Sequence, residues 1–173
     1  MRAPFTVLGT ALLPVLLFAA CGSRDELPWR ATMRDATGRQ LGTLSLSDAA
    51  NGIRVAGTLR GLPPGEHGFH LHTTGVCAPN FDDAGGHWNP TNRQHGRDNP
   101  AGPHFGDLAN ITVAADGTVE IDDITPGGTL HGQDALLDGD GAAVMVHDAA
   151  DDYRSDPAGE AGSRIACGIA TRP

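Results

Sequence analysis

Six of the eight histidines in this chain lie in short segments whose order and spacing suit metal binding. Five of them fall between residues 70 and 104, and the sixth follows an apolar segment near residue 147. They are His70, His72, His87, His95, His104 and His147. Histidine is the commonest metal ligand in proteins and binds through a neutral ring nitrogen. Packing alone explains such a density poorly, so the sequence predicts a site for two metal ions.

The residue types divide these side chains into two sets of ligands. His70 and His72 are two residues apart in a predicted strand, so both point to one face and can reach one ion. Leu71, between them, points the other way, into the core. Four neutral imidazoles suit Cu²⁺, whereas three imidazoles with one carboxylate suit Zn²⁺. A set of three imidazoles and one carboxylate is provided by His87, His95, His104 and Asp107. His87 can serve both ions if its ring loses both protons, because two neighbouring cations lower the pKa of that ring.

Short strands separated by turns account for most of the chain. Aromatic residues make up only 5% of it, while glycine (24) and proline (12) are plentiful, which favours turns over long helices. Eight strands are predicted, over residues 30–35, 40–47, 53–60, 68–72, 111–114, 119–124, 142–147 and 164–169. Turn signals such as Asn51-Gly52 separate them. This series predicts an all-β protein built as an antiparallel barrel.

Two predicted loops are too long to be simple connections. One covers residues 73–107 and the other residues 148–163, and neither shows apolar periodicity. Long irregular loops in a compact domain are usually functional or disordered. Since the first loop carries predicted ligands, we expect both to be functional, with metal binding helping to order them.

The charge of the chain excludes one class of partner. Twelve arginines and no lysine face 21 acidic residues, which gives a formal net charge of -9. Binding to phosphate backbones needs a basic face, so the sequence predicts no interaction with nucleic acid.

The N-terminal residues have the features of an export signal. Arg2 precedes an apolar segment, residues 5–20, that is too short to span a bilayer comfortably. Small residues then precede Cys21, which predicts a bacterial lipoprotein with a lipid anchor on that cysteine. Accordingly, residues 1–20 are the predicted signal peptide, 21–28 the lipidated tether, and 29–173 the folded domain. The alternative is ordinary cleavage near Ala20 with an unmodified Cys21. Both predict a location in the periplasm or cell envelope.

The cysteine count agrees with export. Of three cysteines, Cys77 and Cys167 remain as a pair once Cys21 is assigned to the anchor. A disulfide between them would persist outside the cytosol. The alternative is two unpaired buried thiols.

Four segments together resemble the copper–zinc superoxide dismutases, particularly the secreted bacterial ones. They are Gly-Phe-His-Leu-His at 68–72, Ala-Gly-Gly-His-Trp-Asn-Pro at 84–90, Gly-Pro-His-Phe-Gly-Asp-Leu-Ala-Asn at 102–110, and Gly-Ser-Arg-Ile-Ala-Cys-Gly at 162–168. The resemblance covers residues 31–169. It implies a flattened eight-stranded Greek-key barrel that converts superoxide anions to oxygen and hydrogen peroxide.

The resemblance also implies roles for individual residues. The implied copper ligands are His70, His72, His87 and His147, and the implied zinc ligands are His87, His95, His104 and Asp107. His87 bridges the two ions and carries a proton during turnover. Asp151 corresponds to a carboxylate that joins copper and zinc ligands, although neighbouring Asp152 leaves the register open. Arg164 corresponds to an arginine at the copper channel, with a surface salt bridge as the alternative. Cys77 and Cys167 match the disulfide of the family.

Three other functions stay open on the same scaffold: copper storage or delivery, a zinc-only structural module, and a non-catalytic adhesion or envelope module. Each would be favoured by missing ligands, and none of the implied ligands is missing. A homodimer is a further possible partner arrangement. The remaining two histidines, His67 and His131, are interpreted as ordinary polar residues without a role in the site.

Overall fold

The structure is a computed structural model that describes residues 27–172. The predicted signal peptide, residues 1–20, and the predicted lipidation site Cys21 lie outside the described residues. Within 27–172, the structure has no helix with the length and apolar character needed to cross a bilayer.

Nine antiparallel strands make up the described domain. They are β1 (Trp29–Asp35), β2 (Gln40–Ala49), β3 (Gly52–Arg60), β4 (Gly65–His67), β5 (Phe69–His72), β6 (Ile111–Val113), β7 (Thr118–Ile124), β8 (Ala143–His147) and β9 (Arg164–Thr171). A single turn of 3-10 helix at Asp82–Ala84 interrupts the first long loop. Seven of the predicted strands match with small changes at their ends. The eighth, predicted at 68–72, starts one residue later as β5 and is preceded by the short β4.

The break between β4 and β5 allows the strands to close into a barrel. The large sheet has the order β5-β8-β9-β1-β2-β3-β7, and β4 pairs with β6 in a small second sheet. Only Gly68 separates β4 from β5, and a tight turn at Ala114–Gly117 connects β6 to β7. The small sheet therefore joins the two edges of the large one. The prediction of an all-β antiparallel barrel is confirmed.

Alternation along the strands fills the barrel with apolar side chains. On β1, Ala31 and Met33 are fully buried while Arg30 and Thr32 are exposed. Leu71, predicted to point into the core between two histidines, is likewise fully buried. This packing gives β5 a rigid support, so the side chains on its other face have fixed positions.

A third long connection, residues 125–142, was not singled out by the sequence pattern. It joins β7 to β8 and buries Leu130 and Leu136 against the main core. The backbone N–H of Leu130 donates to the carboxylate of Asp48 at 2.7 Å, which fixes the loop on β2. Its buried leucines have neither strand nor helix spacing, because an irregular loop carries them against the core.

A disulfide joins Cys77 in the first long loop to Cys167 in β9, as predicted. The two cysteines are 90 residues apart in sequence. Phe81, Ala84 and Met145 form a small apolar cluster around Cys167. The bond therefore fastens the start of the ligand-carrying loop to the barrel wall.

Removing the disulfide should destabilise the metal-free protein. In the chain-entropy description, closing a loop of this length contributes about 4–5 kcal/mol. We expect the Cys77→Ala/Cys167→Ala variant to lose a free energy of unfolding of that order in urea denaturation. Chemically reduced wild-type protein is the matched control and should behave like the variant. A loss below about 1 kcal/mol in both would show that the bond adds little to stability.

Candidate metal centre

The geometry of β5 and β8 places three of the predicted ligands side by side. His70 and His72 are fully buried on the face of β5 that is opposite Leu71. Strand β8 pairs antiparallel with β5 and ends at His147, which is also buried. Regular strand pairing is therefore enough to collect these three rings.

Backbone hydrogen bonds bring the first long loop to the open edge of β5. The N–H of Trp88 donates to the carbonyl oxygen of Leu71 at 2.8 Å, and the N–H of Leu71 donates to the carbonyl oxygen of Gly106 at 2.9 Å. A Cβ atom on Gly106 would overlap the Leu71 carbonyl oxygen, so this close approach requires glycine. His87 and Asp107, each adjacent to one of these loop residues, are thereby held against the histidines of β5.

The structure brings every predicted ligand into one of two buried groups. Within each group, one potential ligand atom from every residue lies within 4.8 Å of all the others. We call His70, His72, His87 and His147 the first group, and His87, His95, His104 and Asp107 the second group. His87 belongs to both, as the sequence analysis predicted for a shared ring.

In the second group, three ring nitrogens converge on one carboxylate oxygen. Oδ1 of Asp107 lies 2.9 Å from Nδ1 of His87, 3.1 Å from Nδ1 of His95 and 3.3 Å from Nδ1 of His104. The other oxygen, Oδ2, accepts the backbone N–H groups of Gly96 and His104 at 2.9 and 3.0 Å. The carboxylate is therefore fixed with Oδ1 facing the rings. Three nitrogens and one oxygen are the donor set that tetrahedral Zn²⁺ takes.

Six buried ring nitrogens have no hydrogen-bond partner among the described residues. They are Nδ1 of His70, Nε2 of His72, Nε2 of His87, Nδ1 of His95, Nδ1 of His104 and Nε2 of His147. Leaving a buried polar atom unpaired costs about 1–3 kcal/mol, so six together need an explanation. All six belong to the two groups. Metal ions that accept their lone pairs supply that explanation, and the residues fit copper in the first group and zinc in the second.

One carboxylate holds the opposite ring nitrogens of His70 and His95. Asp151 links the groups, because its Oδ2 lies 2.9 Å from Nε2 of His70 and its Oδ1 lies 2.9 Å from Nε2 of His95. Among residues 27–172, Asp152 instead accepts hydrogen bonds only from Arg154 and Ser155 in its own loop. The structure thus places Asp151, and not Asp152, between the predicted copper and zinc ligands. Such outer carboxylates orient imidazoles and fix which nitrogen carries the proton.

Arg164 lies directly across the β8–β9 ladder from His147. Its guanidinium donates to the carbonyl oxygens of Phe81 and Gly85, both at 2.6 Å. The same Gly85 oxygen faces Nδ1 of His72 at 2.9 Å. Arg164 is therefore tied to the loop beside the first group and makes no salt bridge with the described residues, contrary to the alternative of a surface ion pair.

Burial keeps the first group neutral, as metal binding requires. It lowers the pKa of His70 to about 3 and that of His147 to about 4. Repulsion from His87, when that ring is also protonated, lowers both pKa values further. Burial also lowers the pKa of His72 and of His87. These rings therefore offer free lone pairs over the whole physiological pH range.

Unlike the neutral rings of the first group, the second group and its neighbour Asp151 contain ionised side chains. Burial disfavours the charged form of His95, but the nearby carboxylate of Asp107 and the hydrogen bond with Asp151 outweigh it and raise the pKa of His95 to about 9. Burial opposes ionisation of Asp107 and Asp151 as well, yet their histidine partners hold both pKa values far below the usual range. Both carboxylates are therefore ionised, and a zinc ion entering this group must displace the proton of His95.

His67, interpreted from the sequence as an ordinary polar residue, is buried beside the site. His67 is buried, with Nδ1 2.8 Å from the carbonyl oxygen of His147 and Nε2 2.9 Å from that of Pro63. It therefore fixes the end of β8 next to a ligand. The available signal was its spacing, since residues 67, 69 and 71 alternate along one extended segment. His131 is exposed and lies 5.5 Å from the ring of Trp29, away from both groups.

Comparison with known proteins agrees with this geometry. A family model described as copper/zinc superoxide dismutase matches residues 40–170. A Cu-Zn superoxide dismutase from Aquifex aeolicus is 40% identical over 159 residues, which cover 90% of this chain and 92% of that protein.

Solved structures show the same fold. The crystal structure of a SOD-like protein from Bacillus subtilis superposes with a TM-score of 0.78 at 35% identity, covering 82% of this chain and 97% of that one. The Cu/Zn superoxide dismutase from Brucella abortus gives a TM-score of 0.65 at 30% identity and covers 82% and 98% of the two chains. Because the family match spans most of the sequence and includes all the residues of both groups, the chain belongs to the copper/zinc superoxide dismutase family.

Proposed function

We propose that the chain dismutates superoxide outside the cytoplasm, with copper held by the first group and zinc by the second. Two superoxide anions and two protons give one molecule of oxygen and one of hydrogen peroxide. Family membership supports the reaction and both metals. The single observation that carries the assignment of ligands is the set of six buried ring nitrogens without partners in the described chain.

His87 is the residue at which the two groups meet. Its Nδ1 faces Asp107, while its Nε2 is buried among the rings of the first group. Copper, when bound, supplies the one-electron oxidation and reduction of the reaction, and zinc, which has no redox chemistry, supplies charge and fixed ligand geometry. With both ions bound, His87 would be the ligand that the two groups share, and we infer that its Nε2 would hold one proton between the two half-reactions. That proton would pass to the product peroxide, and the second proton would come from solvent.

The other residues of the site orient His87 and attract the substrate. Asp151 holds the rings of His70 and His95, and so keeps the two groups in register. Arg164 supplies the positive side chain beside His147. A local positive field can draw in a small anion although the whole chain has a net charge of -9. Superoxide dismutases are an established example of such steering and of diffusion-limited catalysis, so its occurrence here is an expectation from the enzyme class.

The complete ligand set supports this function over its alternatives. A copper-delivery protein or a non-catalytic zinc-bound module would need neither a ring shared by both groups nor an arginine beside the first group. Both features are present here.

We also propose export and anchoring. The Cys77–Cys167 disulfide supports a location in the periplasm or cell envelope, because such bonds persist outside the cytosol. The lipid on Cys21 and its contact with a membrane rest on the sequence pattern alone. The homodimer likewise stays a prediction.

Substituting His87 should abolish turnover. We expect His87→Ala to lower the rate of superoxide decay, measured by stopped-flow absorbance, by at least about 100-fold, since a positioned proton donor alone contributes that much. Elemental analysis should also show less copper and less zinc, because the residue belongs to both groups. His131→Ala, which removes an exposed histidine distant from the site, is the control and should keep full activity and metal content. Retention of more than a tenth of the activity in His87→Ala would contradict the bridging role.

Substituting Arg164 should reduce the capture of substrate. We expect Arg164→Ala to lower the second-order rate constant by about tenfold and to weaken its dependence on ionic strength. Arg60→Ala, at an exposed position on β3, should leave both unchanged. If superoxide decays at the same rate in Arg164→Ala and the wild type at low salt, the arginine has been assigned the wrong role.

Anchoring predicts a mass change on Cys21. In a bacterial host that processes lipoproteins, the wild-type chain should sediment with membranes and carry acyl groups at its mature N-terminus. Cys21→Ser should instead appear in the soluble envelope fraction without them. Intact-protein mass spectrometry checks both forms, and an unmodified wild-type cysteine would exclude the anchor.

A further inference from the structure

His104, in the second group, differs from the other histidines at its outer ring nitrogen, which is the nitrogen that does not face its group. Four of the histidines have that nitrogen within 3.2 Å of an oxygen: His70 and His95 face Asp151, His72 faces the Gly85 carbonyl, and His147 faces the Gly162 carbonyl. His87 has one nitrogen in each group. For His104, the outer nitrogen Nε2 makes no hydrogen bond with the described part of the chain.

The carboxylate that lies opposite this nitrogen belongs to Asp156. Its Oδ1 is 3.8 Å from Nε2 of His104. The same oxygen accepts the backbone N–H of His95 at 2.6 Å. One oxygen from the second long loop therefore faces two predicted zinc ligands from the first long loop.

We propose that Asp156 is a positioning residue for the zinc site and the outer hydrogen-bond acceptor of His104. The inference rests on the second group proposed above as zinc ligands. Asp156 holds the backbone of His95 and fixes the ring of His104 with Nδ1 directed at Oδ1 of Asp107. In this role it complements Asp151, which holds the ring of His95.

The chemistry of a metal-bound imidazole supports this assignment. A neutral ring that binds metal through Nδ1 carries its proton on Nε2, and that N–H group needs an acceptor. The ring of His104 is nearly buried, whereas the side chain of Asp156 is 49% exposed. A shift of roughly 1 Å, shared between the exposed Asp156 side chain and the His104 ring, turns the 3.8 Å separation into a hydrogen bond while Oδ1 keeps the N–H of His95. Outer carboxylates of this kind typically change metal affinity by about 10- to 100-fold.

Substitutions at two aspartates of the same loop separate this role from a general effect on the loop. Asp156→Ala removes both contacts. Asp156→Asn keeps an oxygen that can accept from His95 and from His104 but removes the negative charge. Asp152→Ala is the matched control, because Asp152 is exposed and its side-chain hydrogen bonds with the described residues stay within its own loop.

The test is zinc affinity of the purified, disulfide-bonded mature protein, measured by competition with a chelator. We expect zinc to dissociate about 10- to 100-fold more readily from Asp156→Ala, with a smaller loss in Asp156→Asn and a change within about twofold in Asp152→Ala. The ¹⁵N shifts of the His104 ring should show a single Nε2–H form in the zinc-loaded wild type and rapid exchange of that proton in Asp156→Ala.

Zinc affinity in Asp156→Ala within twofold of wild type would overturn the proposal, as would an equal loss in Asp152→Ala. If Asp156→Ala does not fold, Asp156→Asn decides: a zinc affinity within twofold of wild type would overturn the proposal, and a loss that Asp152→Ala does not share would support it. A wild type that takes up no zinc at the second group would overturn both this inference and the proposed function. Normal zinc uptake by the wild type with no effect of Asp156 would overturn only the inference.

Discussion

Six buried ring nitrogens have no hydrogen-bond partner in residues 27–172, and the strands and loops around them are arranged to hold these rings in place. At about 1–3 kcal/mol each, their desolvation is a large fraction of the stability of a domain of this size. The fold tolerates this cost because packing of Leu71 and backbone pairing at Gly106 and Trp88 hold the rings regardless of what they bind. Metal ions bind only the assembled groups, so their binding free energy adds to the stability of the folded chain.

Two long loops, and not the barrel alone, complete the site. The first loop supplies His87, His95, His104 and Asp107, and it is fastened at its start by the disulfide and in its middle by β5. The second loop supplies Asp151, which holds one ring from β5 and one from the first loop. Arg164, at the start of β9, connects back to the first loop through Gly85, whose oxygen also faces His72. The Asp151 carboxylate and the Gly85 carbonyl oxygen therefore hold both the loops and the histidine rings in position.

Local sequence patterns predicted the barrel and part of the site. Strand periodicity placed His70 and His72 on one face with Leu71 in the core, and turn signals located nearly every strand end. The pairing of distant ligands depends on tertiary backbone contacts, such as that of Gly106 with Leu71, which no local spacing encodes. The resemblance to a known family supplied those pairings. It left Asp151 and Asp152 unresolved, since adjacent loop residues differ only in where the folded loop directs them. It also gave no role to His67, and the loop at 125–142 buries leucines without any periodic pattern.

The proposed function requires that one ring, His87, be shared by a copper and a zinc ion. Anomalous diffraction from crystals of the oxidised, metal-loaded protein, recorded at the copper and zinc absorption edges, tests this most directly. We predict a copper peak bonded to Nε2 of His87 and a zinc peak bonded to its Nδ1, about 6 Å apart, given metal–nitrogen bonds of about 2 Å. A map in which the ring of His87 contacts only one of the two ions, or neither, would contradict the account.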